Sequence, residues 1–139
     1  MILKVSPSTL SGSIQAPSSK SLSQRFIAVS LLAASPSKLI YVSECDDCTA
    51  AIGMAAELGA EIELGSNGIL ITPTPLGIPQ PRTGKLNAGE SGLGLRLFGP
   101  ISALSGEDIE ITSEGTLSHR SQPQMIKGLE DLGIEISSK

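Results

Sequence analysis

The sequence predicts an α+β (α/β) fold built from two copies of a βαβαββ unit, with helices packed on mixed sheets. Short β-branched runs alternate with amphipathic runs of helical length, which is the first sign of such a unit. The pattern then restarts: Gly84–Ala88 repeats Gly12–Ala16, and Leu132–Ile136 repeats Leu58–Ile62. A period of about 70 residues is too long for a solenoid repeat and fits a duplicated supersecondary unit.

The repeat sets the expected organisation of the chain. The first repeat is expected at about 11–73, a connector at 74–83 and a truncated second repeat at 84–139. The proline-rich stretch that forms the connector begins at the boundary residue Pro73. Proline cannot donate to a sheet ladder, so the proline-rich stretch is predicted to join elements rather than to form one. The second copy stops before its final strand, so we expect residues 1–139 to be the amino-terminal part of a larger fold.

The first copy gives the clearest element predictions. Strands are predicted at Met1–Val5, Leu10–Ala16 and Lys38–Val42, and a helix at about Ser19–Ala34. A second helix is predicted from Asp46 to about Leu58, because aspartates suit a first turn and the following glycine suits a helix end.

The rest of the chain follows the same order. A hairpin is predicted from Ala60–Leu64 and Ile69–Thr72, joined by the glycine-flanked turn Gly65–Gly68. In the second copy, the apolar run Leu97–Leu104 is predicted to be helical and Ile109–Ile111 to be a strand.

Composition narrows the possible functions. The net charge is −4, and only 2% of the residues are aromatic. Proteins that bind nucleic acid or a membrane surface usually show a basic field, so neither partner is expected. No apolar run reaches bilayer length and no signal-peptide pattern is present, so a cytoplasmic protein is expected. A small anionic substrate stays possible because local charge decides its binding.

The two cysteines form the motif Cys45-Asp46-Asp47-Cys48. A structural zinc site needs four ligands, and His119 is the one histidine in the chain. A reactive thiol favours cationic neighbours, and the two aspartates have the opposite charge. The sequence therefore predicts two reduced cysteines at a helix start, with no metal.

The start of the first predicted helix has the composition of an anion site. Ser18 and Ser19 are good N-cap residues, and Lys20 follows directly. Ser21 and Arg25 are four residues apart and share a helix face. Free N–H groups, the positive end of the helix dipole and two cations would all point to one place. The alternative is a capped core helix with solvated cations, and this stretch taken alone does not separate the two.

The second copy repeats this arrangement. Gly92 and Gly94 precede Arg96 at the start of the predicted helix, after the hydroxyl of Ser91. Glycines at such a place let backbone N–H groups approach a bound anion closely. The competing interpretation is that the glycines only allow tight helix packing.

Four stretches resemble the 5-enolpyruvylshikimate-3-phosphate synthase family. Residues 17–25 (P-S-S-K-S-L-S-Q-R) resemble its P-G-S-K-S-x-S-N-R signature, and residues 86–96 (L-N-A-G-E-S-G-L-G-L-R) resemble its G-N-A-G-T-x-x-R loop. Residues 43–59 resemble its D-D-x(10)-L-G helix, and residues 119–134 its R-P-M-x-x-L stretch. The resemblance covers nearly the whole chain, with the motifs in the family's order.

The resemblance implies a transferase of the shikimate pathway of aromatic amino-acid and chorismate biosynthesis. Such an enzyme moves the enolpyruvyl group of phosphoenolpyruvate to the 5-hydroxyl of shikimate 3-phosphate and releases phosphate, without a metal or organic cofactor. The family's acid–base residues would lie beyond position 139, so the chain is expected to be inactive alone. Two alternatives are a stand-alone anion-binding or interaction module and the related transferases acting on UDP-N-acetylglucosamine, which lack K-S-x-x-x-R here.

The resemblance also implies roles for individual residues. Those matching phosphoenolpyruvate ligands are Lys20, Gly92, Arg96 and Arg120, and those matching shikimate 3-phosphate ligands are Lys20, Ser21 and Arg25. No catalytic acid or base is expected within the chain. His119 is interpreted as an exposed neighbour of an arginine. Glu90 either places a negative charge beside the site or pairs with an arginine.

Overall fold

A computed structural model describes residues 1–137 of the chain; positions 138 and 139, the end of the predicted second repeat, lie outside the described residues. Regular secondary structure begins at Lys20. Their bounds are α1 Lys20–Leu31, β1 Ser37–Ile40, α2 Asp46–Glu57, β2 Glu61–Gly65, β3 Gly68–Thr72, β4 Lys85–Asn87, α3 Gly92–Ser102, β5 Glu110–Thr112 and α4 Pro123–Asp131.

The first sheet is antiparallel, with the strand order β1-β3-β2. Its hairpin closes where Gly65 pairs with Gly68. Gly68 has φ +139, and a Cβ atom there would collide with the backbone carbonyl of Leu39 on the neighbouring strand. Glycine is therefore required at this turn on both conformational and steric grounds. The predicted hairpin is confirmed, and the proline-rich stretch that follows it contains a short 3-10 turn at Pro75–Gly77.

The second sheet has two parallel strands, β4 and β5, with Leu86 opposite Ile111. Parallel neighbours need a crossover connection, and α3 supplies it. The chain thus contains helices packed with both antiparallel and parallel strand pairs, as the predicted fold class requires.

The core lies between the first three helices and the two sheets. Phe98 is the one fully buried aromatic side chain of this core in the described residues. The rest of the core consists of aliphatic side chains from the helices and strands. The largest are Ile27, Leu31, Met54, Leu58, Ile71 and Leu86. Because these residues come from α1, α2, α3, β3 and β4, the core fixes how the helix starts lie relative to one another.

The predicted strands Met1–Val5 and Leu10–Ala16 were wrong. Residues 1–19 form no strand, and the apolar side chains of Leu10 and Ile14 are 91% and 94% exposed. A strand is stable only where a neighbour accepts its hydrogen bonds, and no strand among residues 1–137 lies beside these two segments. The equivalent segment of the second copy, β4, is a strand because β5 pairs with it.

Two element ends also differ from prediction. Helix α1 ends at Leu31 instead of Ala34, and β1 ends at Ile40 instead of Val42. Tyr41 has φ +54, a left-handed conformation that interrupts an extended strand.

The ends of α2 and α4 match each other in detail. Gly59 and Gly133 both have positive φ, at +100 and +85. The next amide in each copy, that of Ala60 or Ile134, donates a 3.1 Å bond to the carbonyl five residues earlier. Matching helix ends support the duplication, while the boundaries of the two repeats stay a prediction.

No helix in the described range 1–137 is both long and apolar enough to cross a membrane.

Candidate anion-binding site

Helix α1 begins as its sequence predicts. The Ser19 hydroxyl accepts a 3.4 Å hydrogen bond from the backbone N–H of Leu22, so Ser19 is the N-cap. Lys20 is the first helical residue, and the first turn contains no acidic side chain. The end of the helix that carries partial positive charge therefore also carries a cation.

The Lys20 side chain extends toward the start of α2. Its Nζ lies 2.8 Å from an Oδ atom of Asp47, with the lysine half-exposed. The hydrogen bond to the Asp47 carboxylate, followed by the charge of that group, raises the pKa of Lys20 above its usual value. Lys20 is therefore a fixed cation at neutral pH, held between two helix starts.

Arg25 lies one turn further along α1, on the face of Ser21. Its Nη1 donates a 3.1 Å hydrogen bond to the Ser21 backbone carbonyl, and the rest of the side chain is exposed. A guanidinium has five N–H donors, so this contact leaves others available to an oxyanion. The predicted proximity of Ser21 and Arg25 is confirmed.

A buried hydrogen bond joins the starts of α1 and α3. Ser91, the N-cap of α3, accepts a 2.9 Å bond from the Gly94 N–H and donates a 2.7 Å bond to Gln24 Oε1. Gln24 and Ser91 are at most 1% exposed, and Gln24 Nε2 has no partner in the part of the chain that the structure describes. No local sequence signal indicates this pair, because 67 positions separate Gln24 and Ser91.

The two glycines of α3 have different surroundings. A Cβ atom on Gly94 would lie 3.0 Å from Ser91 Oγ and 3.1 Å from Met54 Cε, so Gly94 permits close packing of α3 on α2. A Cβ on Gly92 would meet its neighbours at an ordinary 3.6 Å, and one of these is Nη1 of Arg96. The packing interpretation therefore holds for Gly94, while Gly92 lies under an exposed arginine.

Arg120 follows a short 3-10 turn at Leu117–His119 and is exposed, as is His119. Its Nη2 donates a 3.3 Å hydrogen bond to the Thr116 hydroxyl. The buried side chain of Leu117 reaches the position above Gly92. The loop that carries Arg120 therefore packs on the start of α3.

Glu90 does not pair with an arginine in residues 1–137. Its carboxylate lies against Gly115, where a Cβ atom would collide with it, and Gly115 has φ +51. The neighbouring backbone is also fixed, because the Glu114 N–H donates a 2.7 Å bond to the Gly89 carbonyl. Glu90 is thus directed at the loop backbone, and its negative charge stays near the start of α3.

The six predicted site residues form two sets. One comprises Lys20, Ser21 and Arg25 on α1; the other comprises Gly92, Arg96 and Arg120 around the start of α3. The Gln24–Ser91 bond joins α1 to α3. Gln24 precedes Arg25 of the first set, and Ser91 precedes Gly92 of the second. No direct hydrogen bond between the two sets occurs within residues 1–137, and none is expected because the charges are alike.

The Gln24–Ser91 bond joins the second turn of α1 to the N-cap of α3. Two neighbouring helix starts that carry cations are suited to holding a small polyanion. The chain is an α+β protein in which a buried hydrogen bond ties α1 to the N-cap of α3, and both helices carry exposed cations.

Sequence comparison is more specific. The EPSP synthase (3-phosphoshikimate 1-carboxyvinyltransferase) family profile matches residues 5–139, and the chain belongs to this family.

Individual relatives agree with this assignment. The chain is 36% identical over 135 residues to the 3-phosphoshikimate 1-carboxyvinyltransferase of Chlamydia felis, covering 96% of the chain and 30% of the relative. It is 35% identical to that of Korarchaeum cryptofilum, covering 95% of the chain and 31% of the relative. The EPSP synthase structure from Acinetobacter baumannii superposes with a TM-score of 0.82 at 26% identity, over 92% of this chain and 29% of that one. The chain thus spans about a third of its relatives' length.

Proposed function

We propose that this chain is the amino-terminal part of a 3-phosphoshikimate 1-carboxyvinyltransferase and carries a share of its substrate site. The reaction transfers the enolpyruvyl group of phosphoenolpyruvate to the 5-hydroxyl of shikimate 3-phosphate, with release of phosphate. Two observations support this assignment. The chain belongs to the family, and 96% of its length aligns with such an enzyme. We also propose a cytoplasmic location, as befits an enzyme of biosynthetic metabolism.

The observation that carries the proposal is the buried Gln24–Ser91 hydrogen bond between two helix starts. Each start presents backbone N–H groups, and the exposed cations Lys20, Arg25 and Arg96 stand around them. Both proposed substrates are polyanions, so their binding requires fixed positive charge and preorganised donors.

We assign the α1 set (Lys20, Ser21 and Arg25) to shikimate 3-phosphate. The guanidinium of Arg25 suits a two-point contact with a phosphate, and the Ser21 hydroxyl can donate to it. Lys20 serves both substrates as a point charge, which agrees with its place between α1 and α2.

We assign Gly92, Arg96 and Arg120 to phosphoenolpyruvate. The side chains of Arg96 and Arg120 are exposed, and a glycine beneath the first leaves room for an anion to approach the α3 backbone.

The described chain offers no persuasive acid or base for the proton transfers of this reaction. His119 is exposed on a 3-10 turn and makes no side-chain hydrogen bond in the described residues. One face of α1 exposes Leu22, Phe26 and Val29, an apolar surface expected to be covered in a complete enzyme. We propose that further polypeptide covers this face and supplies the catalytic groups, so the chain alone binds substrate weakly and is inactive.

Calorimetric titration with shikimate 3-phosphate tests the proposal. The chain should bind weakly, in the millimolar range that corresponds to about −4 kcal/mol. Arg25→Met should abolish detectable binding because it removes the guanidinium that contacts the phosphate. Lys127→Met is the matched control: Lys127 is an exposed cation on α4, paired with Asp131, and belongs to neither set. Equal binding by the chain and both variants would exclude the site, and phosphate release from the mixed substrates would show that a catalytic group had been overlooked.

The alternative, a stand-alone anion-binding module, predicts a different selectivity. Such a module would bind inorganic phosphate as well as shikimate 3-phosphate, because it would need only the charge. The proposed enzyme site should prefer shikimate 3-phosphate, whose ring hydroxyls add contacts beyond the phosphate.

A further inference from the structure

The cysteine pair at the start of α2 has a geometry that the motif alone did not indicate. Cys45 is the N-cap of this twelve-residue helix, in an extended conformation, and Cys48 lies in its first turn. Both thiols are free; Cys45 is half-buried and Cys48 is completely buried. The Cys48 sulfur also lies 3.6 Å from the backbone carbonyl of Lys20.

The structure brings a cation to the cysteine motif. The sequence places two aspartates between the cysteines, and the Asp47 carboxylate is 2.8 Å from the Lys20 ammonium. That cation offsets part of the Asp47 charge, although Asp47 still acts to raise the pKa of Cys45. The cysteines also face the positive end of the α2 dipole.

The two thiols are unequal. Burial raises the pKa of Cys45, but hydrogen bonds from Ser43 and from Cys48 outweigh it, so the pKa of this thiol is lowered. Burial and the adjacent Cys45 sulfur raise the pKa of Cys48 to about 11. An accessible, more acidic thiol followed by a buried, less acidic one is the division of labour of an attacking and a resolving cysteine.

The spacing also allows a covalent bond. Residues three apart on a helix are surface neighbours, with about 5 to 6 Å between their Cβ atoms. A small movement of the N-cap residue Cys45 would bring the pair to the roughly 3.5 to 4.5 Å that a disulfide needs. Each of the two thiols also shifts the pKa of the other, as neighbouring groups do.

We propose that Cys45 and Cys48 form a thiol–disulfide exchange site that reacts with low-molecular-weight disulfides. The Cys45 thiolate attacks one sulfur of the small disulfide, whose S–S bond breaks and releases one thiolate. Cys48 then loses its proton, its sulfur attacks Cys45 Sγ, and the second small thiolate leaves. Two protein thiols are oxidised to one disulfide, and the small disulfide is reduced to two thiols that take up the two protons.

The experiment exposes the chain to oxidised glutathione and follows its mass and free thiols. The chain with both cysteines should lose both thiols and two hydrogen atoms, without a lasting glutathione adduct, and dithiothreitol should restore both thiols. Cys48→Ala should keep a stable adduct on Cys45, because no resolving thiol remains. Cys45→Ser should react at least tenfold more slowly, because Cys48 is buried. Far-UV circular dichroism verifies that both variants fold.

Three results would overturn the proposal. The first is a chain that keeps both thiols after treatment under conditions that oxidise free cysteine. The second is a chain that ends with two separate adducts instead of a disulfide. The third is a folded Cys45→Ser variant that reacts as fast as the original chain. None of these outcomes depends on substrate binding, so the test is independent of the proposed transferase function.

Discussion

Ser91 Oγ and Gln24 Oε1 lie 2.7 Å apart in the core, although 67 positions separate the two residues in sequence. Ser91 uses its hydroxyl twice, as the acceptor of its own helix cap and as the donor to Gln24. A single buried hydroxyl therefore fixes both where α3 begins and how it sits against α1. Since the candidate cations lie on these two helix starts, their relative position depends on this bond.

Ser91→Ala is expected to destabilise the chain by about 2 to 4 kcal/mol. The change removes an N-cap, which costs about 1 kcal/mol, and leaves a buried acceptor unpaired, which costs about 1 to 3 kcal/mol more. The measurement is urea denaturation followed by circular dichroism.

Ser19→Ala is the matched control for this change. Ser19 caps α1 as Ser91 caps α3, but it is exposed and its hydroxyl makes only the cap bond. Its replacement should cost about 1 kcal/mol or less. In a Gln24→Met background, Ser91→Ala should cost about 1 kcal/mol less than in the original chain. Equal costs for the two serines would mean that the bond to Gln24 contributes nothing.

Gly94→Ala and Gly92→Ala should have opposite effects on folding. A methyl group on Gly94 meets Ser91 and Met54 at 3.0 to 3.1 Å, so overpacking of about 1 to 3 kcal/mol should exceed the gain in helix propensity. A methyl group on Gly92 finds ordinary contact distances, so its fold should be unchanged or slightly more stable. Thermal unfolding of both variants measures the difference, and a destabilised Gly92→Ala with a neutral Gly94→Ala would contradict this account of the two sites.

The pH dependence of stability should include a contribution from Glu57. The backbone N–H and the hydroxyl of Thr83 both donate to its Oε1, and these bonds lower the pKa of Glu57. A carboxyl group whose pKa is lower in the folded state stabilises that state above its unfolded pKa, and the contribution disappears as the pH falls through the folded pKa. Glu57→Gln should therefore lower the free energy of unfolding by about 1 kcal/mol at neutral pH, a figure already reduced because solvent screens this partly exposed group. At pH about 2 the change should be almost nothing.

Glu63→Gln provides the comparison for Glu57. Glu63 is exposed on β2 and its side chain makes no hydrogen bond within the described residues, so its replacement should change stability little at either pH. Urea midpoints at the two pH values give the result. A Glu57→Gln cost that stays constant with pH would show that the carboxylate charge is not involved.

Local sequence signals predicted the helix starts and turns correctly, because those features depend on nearby residues. Ser19 as a cap, Asp46 in a first turn and Gly59 after a helix end are each specified within one turn of chain. The glycine-flanked hairpin was predictable for the same reason.

The features that were missed depend on distant partners. The segment Leu10–Ala16 has a strand composition but no neighbouring strand within residues 1–137, so composition alone gave the wrong answer. The Asp47–Lys20 pair and the Gln24–Ser91 bond join separate helices, and no spacing rule reveals them. Both cysteines are free at the start of α2, as the sequence predicts, and the Asp47–Lys20 pair brings near them a cation that the motif does not reveal.

The apolar face of α1 is expected to make the chain self-associate. Leu22, Phe26 and Val29 recur with helical spacing on one face and are 51%, 53% and 64% exposed. Sedimentation should show a concentration-dependent increase in mass, and Phe26→Gln should weaken association about tenfold, because burying part of a phenyl ring is worth about 1 to 2 kcal/mol. Leu104→Gln is the control. Leu104 is similarly exposed, at 59%, but it lies in a short 3-10 turn just beyond the end of α3 and not on α1. If the chain is monomeric at every concentration, this face does not drive association; if both variants weaken association equally, the contact is not specific to α1.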